Sequence, residues 1–247
     1  MGPGPRVTES SPSKAPDRIA GMFDAIAKHY DLLNHILSAG IDRRWRWRAI
    51  EALSLSGVER VLDLCTGTAD LALAARTATP GAARVVGVDF ADAMLRVARG
   101  KLLHARLDDA VSLVRGDATR IPIADRAVDA VTIAFGIRNV ERPAAACEEI
   151  HRVLRPGGRL AILEFAVPAA PALRAAYLAY FRYVLPRVGK LVSRHDTAYE
   201  YLPASVDTFA SPGEFVELLQ ASRFVDIRAV PLTLGIVYMY VGRRNDD

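Results

Sequence analysis

The stretch Arg60–Leu73, RVLDLCTGTADLAL, decides the fold. A short apolar run (Val61, Leu62, Leu64) ends in a tight polar turn around Gly67, then resumes as an Ala/Leu-rich segment that reads as a helix. A strand that breaks on glycine into a helix is how α/β proteins hold nucleotides, because bare backbone and the first helical amides face the ligand. A dinucleotide site needs GxGxxG there, so that a pyrophosphate can rest on backbone. This turn has one glycine, and an acid, Asp70, stands at the helix start, where it would repel a pyrophosphate. The ligand is nucleotide-like and carries no phosphate there.

Working outward, short β-rich runs alternate with helical segments. The strands are expected at 59–65, 84–90, 111–116, 128–135 and 159–165, and helices at 70–77, 91–107 and 143–154. Arg155-Pro-Gly-Gly158 reads as a turn that stops the last of these helices. Such alternation makes a parallel sheet with helices on both faces. The end differs: VDIRAVPL and GIVYMYVGRR are separated only by Thr233 and Leu234, which is an antiparallel hairpin. An α/β, mostly parallel seven-stranded sheet closed by a hairpin is the Rossmann-like, class I S-adenosylmethionine-dependent methyltransferase fold, and S-adenosylmethionine has no phosphate. Asp89 closes the second strand about 20 residues after Gly67, where an acid grips ribose hydroxyls. Asp117 ends the third strand, placed to take an adenine amino group, with the Ala118 backbone on the ring edge.

The chain has 247 residues, 51% of them hydrophobic, enough for one large domain over residues 17–247. Residues 1–16, rich in Pro, Ser and Gly, read as a disordered tail with no apolar targeting segment. Residues 17–56 form a helical cap and 171–208 a helical lid. No apolar stretch approaches the roughly 20 residues that span a bilayer. The two cysteines, Cys65 and Cys147, form no CxxC or His/Cys cluster, so a reduced, cytosolic, metal-free chain is expected, with both as small apolar fillers. The net charge of +4 is concentrated in DRRWRWR (Asp42–Arg48) and in Leu173–Arg194, where cations and aromatics interleave with Leu, Val and Ala. Such runs suit an anionic membrane surface or a nucleic acid, or simply a solvated basic face.

Phe23–Ile50 resembles the Y-D-x-x-N-x-x-x-S-x-G-x-x-R-x-W signature of the ubiquinone/menaquinone biosynthesis C-methyltransferases, through Tyr30, Asp31, Asn34, Ser38, Gly40, Arg43 or Arg44, and Trp45. TIAFGIRNV (Thr132–Val140) and RVLRPGGRLAILEF (Arg152–Phe165) are similar to the family's other hallmarks. The resemblance runs from about Phe23 to the C-terminus and implies S-adenosyl-L-methionine as methyl donor, without a metal, held by Gly67, Thr68, Asp89, Asp117 and Ala118. It departs at Ala134, where the family often has Ser, and at the C-terminal GIVYMYVGRR, where a His-x-Gly pattern is expected.

The implied reaction puts a methyl group on a ring carbon of a polyprenylated quinol: demethylmenaquinol, the closer match for a CTGTAD turn, or a 2-methoxy-6-polyprenyl-1,4-benzoquinol. A ring hydroxyl, with a pKa of about 10, must give up its proton so that electron density reaches the carbon. The resemblance places Arg138, Asn139 and Tyr30 around this acceptor. Arg138 cannot be the base, since guanidinium stays protonated, but it can stabilise the phenolate or orient a water. A surface pair with Glu141 is the plainer role for Arg138, and a core aromatic with a wet hydroxyl for Tyr30. His29 is a reserve base, with a plain surface polar group the simpler role for it as for His35, and Glu164 either lines the acceptor site or is a capped or solvent-facing residue. Expected partners are the quinol and the inner face of the cell membrane, with the protein cytoplasmic and peripheral; a homodimer is allowed. FGIRN after the fourth strand, in place of [DN]PP[YF], argues against a nucleic-acid substrate. A non-catalytic S-adenosylmethionine- or lipid-binding scaffold is the remoter alternative.

Overall fold

The computed structural model describes residues 14–27, 30–78, 83–184 and 196–246. Three helices come first: α1 (Pro16–Ile26), α2 (Tyr30–Leu37) and α3 (Asp42–Ala52). Pro16 opens α1, where a ring-fixed φ suits the first turn and no amide is needed. The Ala15 carbonyl accepts from the Arg18 and Ile19 amides. The first helix thus begins at Pro16, at the end of the expected tail; residues 1–13 lie outside the described part.

The sheet then builds from β1 (Arg60–Leu64), α4 (Asp70–Ala78), β2 (Arg84–Asp89), α5 (Asp92–Ala105), β3 (Val111–Arg115), β4 (Val128–Ala134), α6 (Pro143–Val153) and β5 (Leu154–Phe165). Two helices, α7 (Pro171–Ala179) and α8 (Asp196–Asp207), stand before α9 (Pro212–Ala221), β6 (Phe224–Leu232) and β7 (Val237–Arg244). The strand order is β3-β2-β1-β4-β5-β7-β6, with β7 antiparallel to both β5 and β6. β1 and β4 are buried almost end to end, as expected of strands covered on both faces. Val61 faces one core layer with Trp45, Ala49, Leu71 and Ala98, while Leu62 and Leu64 face the other with Ile150, Phe215 and Leu219. The alternation follows from the two-residue period of a strand. Cys147 lies fully buried in the second layer, its thiol pushed up to about 12 by burial.

One expected turn is corrected. Arg155-Pro-Gly-Gly158 is the first part of β5, because Leu154 already pairs with Val128 and pairing resumes at Arg159 with Ala130. The four intervening residues bulge opposite Asp129, which accepts from the Arg60 amide at 2.6 Å and pairs with Arg155. Gly157 takes φ +72°, and a side chain at Gly158 would press on the Arg155 carbonyl, so both glycines are needed for the bulge.

Just before β1, Glu59 is 5% exposed and accepts from the Ser56 amide and hydroxyl and from the Gly57 and Val58 amides, at 2.7–3.0 Å. Burial pushes its carboxyl up, but these bonds outweigh it and hold the pKa at about 2. A depressed carboxyl contributes stability that is present above its unfolded pKa, near 4.3, and is lost as pH falls through the folded value. Glu59→Gln should therefore melt below the natural protein at pH 7, and the gap between the two thermal midpoints should close as pH falls toward 2.

Candidate active site

The strand order reverses between β1 and β4, so the loops leaving their carboxyl ends diverge and open a crevice. Each strand is followed directly by a residue in the left-handed region, Cys65 at φ +55° after β1 and Phe135 at φ +59° after β4. The two loops touch: a Cβ on Gly136 would collide with the Cβ of Cys65, so glycine is required there. Two cavities flank this contact.

The first is lined by Gly67, Asp89, Asp117, Ala118 and Ala134, with Phe23, Tyr30, Phe135 and Asn139 among its other walls. Asp89 accepts from the Gly67 amide at 2.8 Å and the Ala91 amide at 2.9 Å, one on each oxygen, so it ties the loop after β1 to the loop after β2. Burial raises its pKa, and the backbone bonds work against the rise. Each oxygen keeps lone-pair capacity for a ribose hydroxyl. Asp117 spends one oxygen on the Thr119 amide and hydroxyl, at 2.7 and 2.9 Å. Thr68 is placed differently from its neighbours: it is buried and donates to Asp31, inside a network where Lys101 bridges Asp31 and Asp70. Asp70 thus supports the turn by ion pairing. Asn139 lines this cavity, and its Oδ1 is buried without a partner among the described residues. An orphaned acceptor beside two carboxylates suits a ligand bearing hydroxyl and ammonium donors, which S-adenosylmethionine has.

The second cavity, about 370 Å³, is walled by Tyr30, Trp45, Phe135, Arg138, Phe165, Tyr177 and Tyr201, among others. Phe135 and Phe165 stack with centroids 4.5 Å apart. The Trp45 indole donates to Thr233 Oγ1 at 2.8 Å, fixing α3 to the turn between β6 and β7. Arg138 is 5% exposed and does not pair with Glu141. Its Nη1 bonds Glu164 at 2.8 Å, its Nε bonds Ser205 Oγ at 3.3 Å, and its guanidinium lies 5.4 Å from the Phe165 centroid. Nη2 makes no hydrogen bond within the described residues. Glu164 is fully buried and also accepts from the Arg138 and Phe165 amides, so it neither faces solvent nor stands alone. The Tyr30 phenol, hydrogen-bonded to Asn34, has its pKa raised by burial and is a donor at neutral pH. His35 bonds Asp42 at 2.8 Å; His29 lies outside the described residues. His35, Asp42 and Asp70 come together, but Arg46 pairs with Asp42 and reaches Asp70 at 3.7 Å, so a cation already occupies that cluster.

Tyr30, Phe23 and Phe135 line both cavities, and Arg138 and Asn139, adjacent in sequence, line different ones. Sheet and cleft together define a protein with the S-adenosylmethionine-dependent methyltransferase fold. A methyltransferase from Aquifex aeolicus superposes with TM-score 0.58 at 18% identity, over 80% of this chain and 87% of that one. The [4+2]-cyclase SpnF superposes at 0.68, with 18% identity over 96% and 98%, so the fold alone does not fix the chemistry. The chain belongs to the ubiE/COQ5 methyltransferase family, whose sequence profile matches residues 12–244. It is 48% identical to the ubiquinone/menaquinone biosynthesis C-methyltransferase UbiE of Syntrophotalea carbinolica, over 91% of this chain and 93% of that protein. It is 46% identical to the demethylmenaquinone methyltransferase of Thermus thermophilus, over 90% and 100%.

Because Asp89 holds two backbone amides as well as facing the cavity, its loss has two effects. Asp89→Ala should weaken S-adenosylhomocysteine binding at least tenfold by calorimetry and also lower the thermal midpoint, since each orphaned buried amide costs about 1–3 kcal/mol. An unchanged dissociation constant would remove Asp89 from the donor site.

Proposed function

We propose that the protein transfers a methyl group from S-adenosylmethionine to a ring carbon of demethylmenaquinol. The observation that carries this is the placement of Arg138 in an apolar, aromatic-walled cavity that shares Tyr30 and Phe135 with the donor cavity. S-adenosylmethionine supplies a methyl group already activated on a sulfonium. The walls Phe135, Phe165 and Trp45 are flat, and at about 370 Å³ the cavity is of a size for a bicyclic ring. Holding the ring carbon against the donor is itself worth several kcal/mol of barrier.

Arg138 then addresses the ring hydroxyl. Glu164, Ser205 and the Phe135 carbonyl fix its guanidinium, leaving Nη2 to bond the oxygen as the proton departs to water. The low-dielectric wall strengthens that bond as negative charge develops. Tyr30, kept protonated by burial, is a second donor at the boundary between the cavities. Asn139 supports the donor side. A methoxybenzoquinol acceptor is the second reading, favoured by the joint ubiquinone/menaquinone name of the Syntrophotalea carbinolica relative.

No helix among the described residues is long and apolar enough to cross a membrane. Leu32 and Ile36 on α2, Ile41, and Leu178 on α7 are exposed, while other residues of the same helices wall the larger cavity. This arrangement supports peripheral docking at the inner membrane face, with α7 and α8 as a lid that receives the prenyl tail.

Reduced short-chain demethylmenaquinone should be methylated, whereas the oxidised quinone under strictly non-reducing conditions should not, because its ring carbon is electron-poor. A rate that is equal for both redox forms would sink the mechanism, and faster turnover of the reduced methoxybenzoquinone analogue would select the second reading.

The Glu164 pair changes what an Arg138 variant tests. Arg138→Met leaves a carboxylate buried and unpaired, a loss of about 3–5 kcal/mol, so its thermal midpoint should fall. Arg138→Met combined with Glu164→Gln removes the stranded charge and should regain most of that midpoint. Its kcat should stay on the order of 10²–10³ below normal, with KM for S-adenosylmethionine little changed. A double variant with near-normal kcat would make Arg138 structural only.

A further inference from the structure

Lys14, the residue two before α1, is the only cation among the described residues lining the donor cavity, where it faces the same space as Asp89, Asp117 and Glu141. It is half-buried and makes no hydrogen bond or ion pair within the described residues. A half-desolvated ammonium without a carboxylate partner is costly unless a ligand supplies one. S-adenosylmethionine carries a single negative group, the carboxylate of its methionine end; the adenosine end is neutral, and ammonium and sulfonium are positive. Three acids suit the positive and hydroxyl-bearing parts of such a molecule, and the one negative group needs a cation.

We propose that Lys14 binds the carboxylate of the donor's methionine end, which makes the segment leading into α1 part of the donor site. The charges of Arg138 and Glu164 act on Lys14, and these groups belong to the β4–β5 side of the cleft, whereas Asp117, in the same cavity, follows β3 on the opposite side of the sheet. That places its ammonium toward the methionine end of the cleft and away from the adenine end. Burial and the nearby Arg138 charge lower its pKa by more than the Glu164 carboxylate raises it, so the ammonium is only partly compensated by the charges around it. The orphaned Oδ1 of Asn139 in the same cavity is a matching acceptor for the adjacent ammonium.

The assignment rests on S-adenosylmethionine as donor, and the two are separated by comparing ligands with and without the methionine end. Calorimetry with S-adenosylhomocysteine and with 5′-methylthioadenosine, which lacks the carboxylate and ammonium, should show binding of both by the natural protein. Failure to bind either ligand would overturn the donor reading itself, and the Lys14 assignment with it. Lys14→Met should weaken S-adenosylhomocysteine by about 10- to 100-fold, the range for a charge-assisted bond, while 5′-methylthioadenosine stays within about twofold. Lys14→Arg should recover most of the affinity. Unchanged S-adenosylhomocysteine affinity in Lys14→Met, or an equal loss for both ligands, would overturn the assignment, the second result meaning that Lys14 only helps to shape the cavity. Retained 5′-methylthioadenosine binding shows that the variant is folded.

Discussion

The site depends on a single steric contact at the reversal of strand order. β1 and β4 run side by side, yet the chain leaves them toward opposite halves of the sheet, and the loops part only after Cys65 and Gly136 have met without room for a side chain on the latter. That contact brings the turn holding Gly67 to within one wall of the turn holding Arg138 and Asn139. A ligand lying over the first turn and one lying against the second then share Tyr30, Phe23 and Phe135 as a common boundary. Transfer between two molecules needs such a boundary, and the topology supplies it before any side chain is chosen.

The larger cavity combines an apolar lining with a buried ion pair, and the two features oppose each other energetically. Desolvating Arg138 and Glu164 costs several kcal/mol per ion, offset here by the bonds Glu164 accepts from the Arg138 and Phe165 amides and by the one Ser205 Oγ accepts from Arg138 Nε. An apolar pair of similar volume would serve stability as well or better. What it would lose is a guanidinium held in one orientation, with Nη2 unbonded within the described residues.

Much of this was legible in the sequence, for physical reasons. Parallel strands covered on both faces are continuous apolar runs, and β1, β2 and β4 stand out as such; the gap between the last two strands, read as two residues and found to be four (233–236), is short enough to make a hairpin. Gly67, Asp89, Asp117 and Ala118 fall at strand ends, where spacing along the chain translates directly into position at the crevice. Contacts between distant segments leave no such trace. Glu164 meets Arg138 because β4 and β5 are neighbours in register, and Ser205 joins them from α8. Arg155-Pro-Gly-Gly158 carries turn residues because a wide bulge needs the same backbone freedom as a turn. Thr68 fits the motif by position, yet the local twist points its hydroxyl at Asp31. Lys14 was hidden in a Pro- and Ser-rich run whose composition suggests disorder, and only Pro16 hints that a helix starts there.

The bond from Trp45 to Thr233 also has a bearing on how the protein emerges from the ribosome. The donor cavity is lined by residues between Lys14 and Glu141, whereas the larger cavity also needs Thr233 and Ile236. Translation proceeds at about 5–20 residues per second, so the first can be assembled several seconds before the second has all its walls. During that interval the aromatic faces of Trp45 and Phe135 have no hairpin to cover them, and β5 presents an unpaired edge to solvent until β7 arrives. The late hairpin is thus the step that converts a nascent, sticky half-sheet into a finished molecule. A chain stalled short of it would meet chaperones or a neighbouring copy through that open edge.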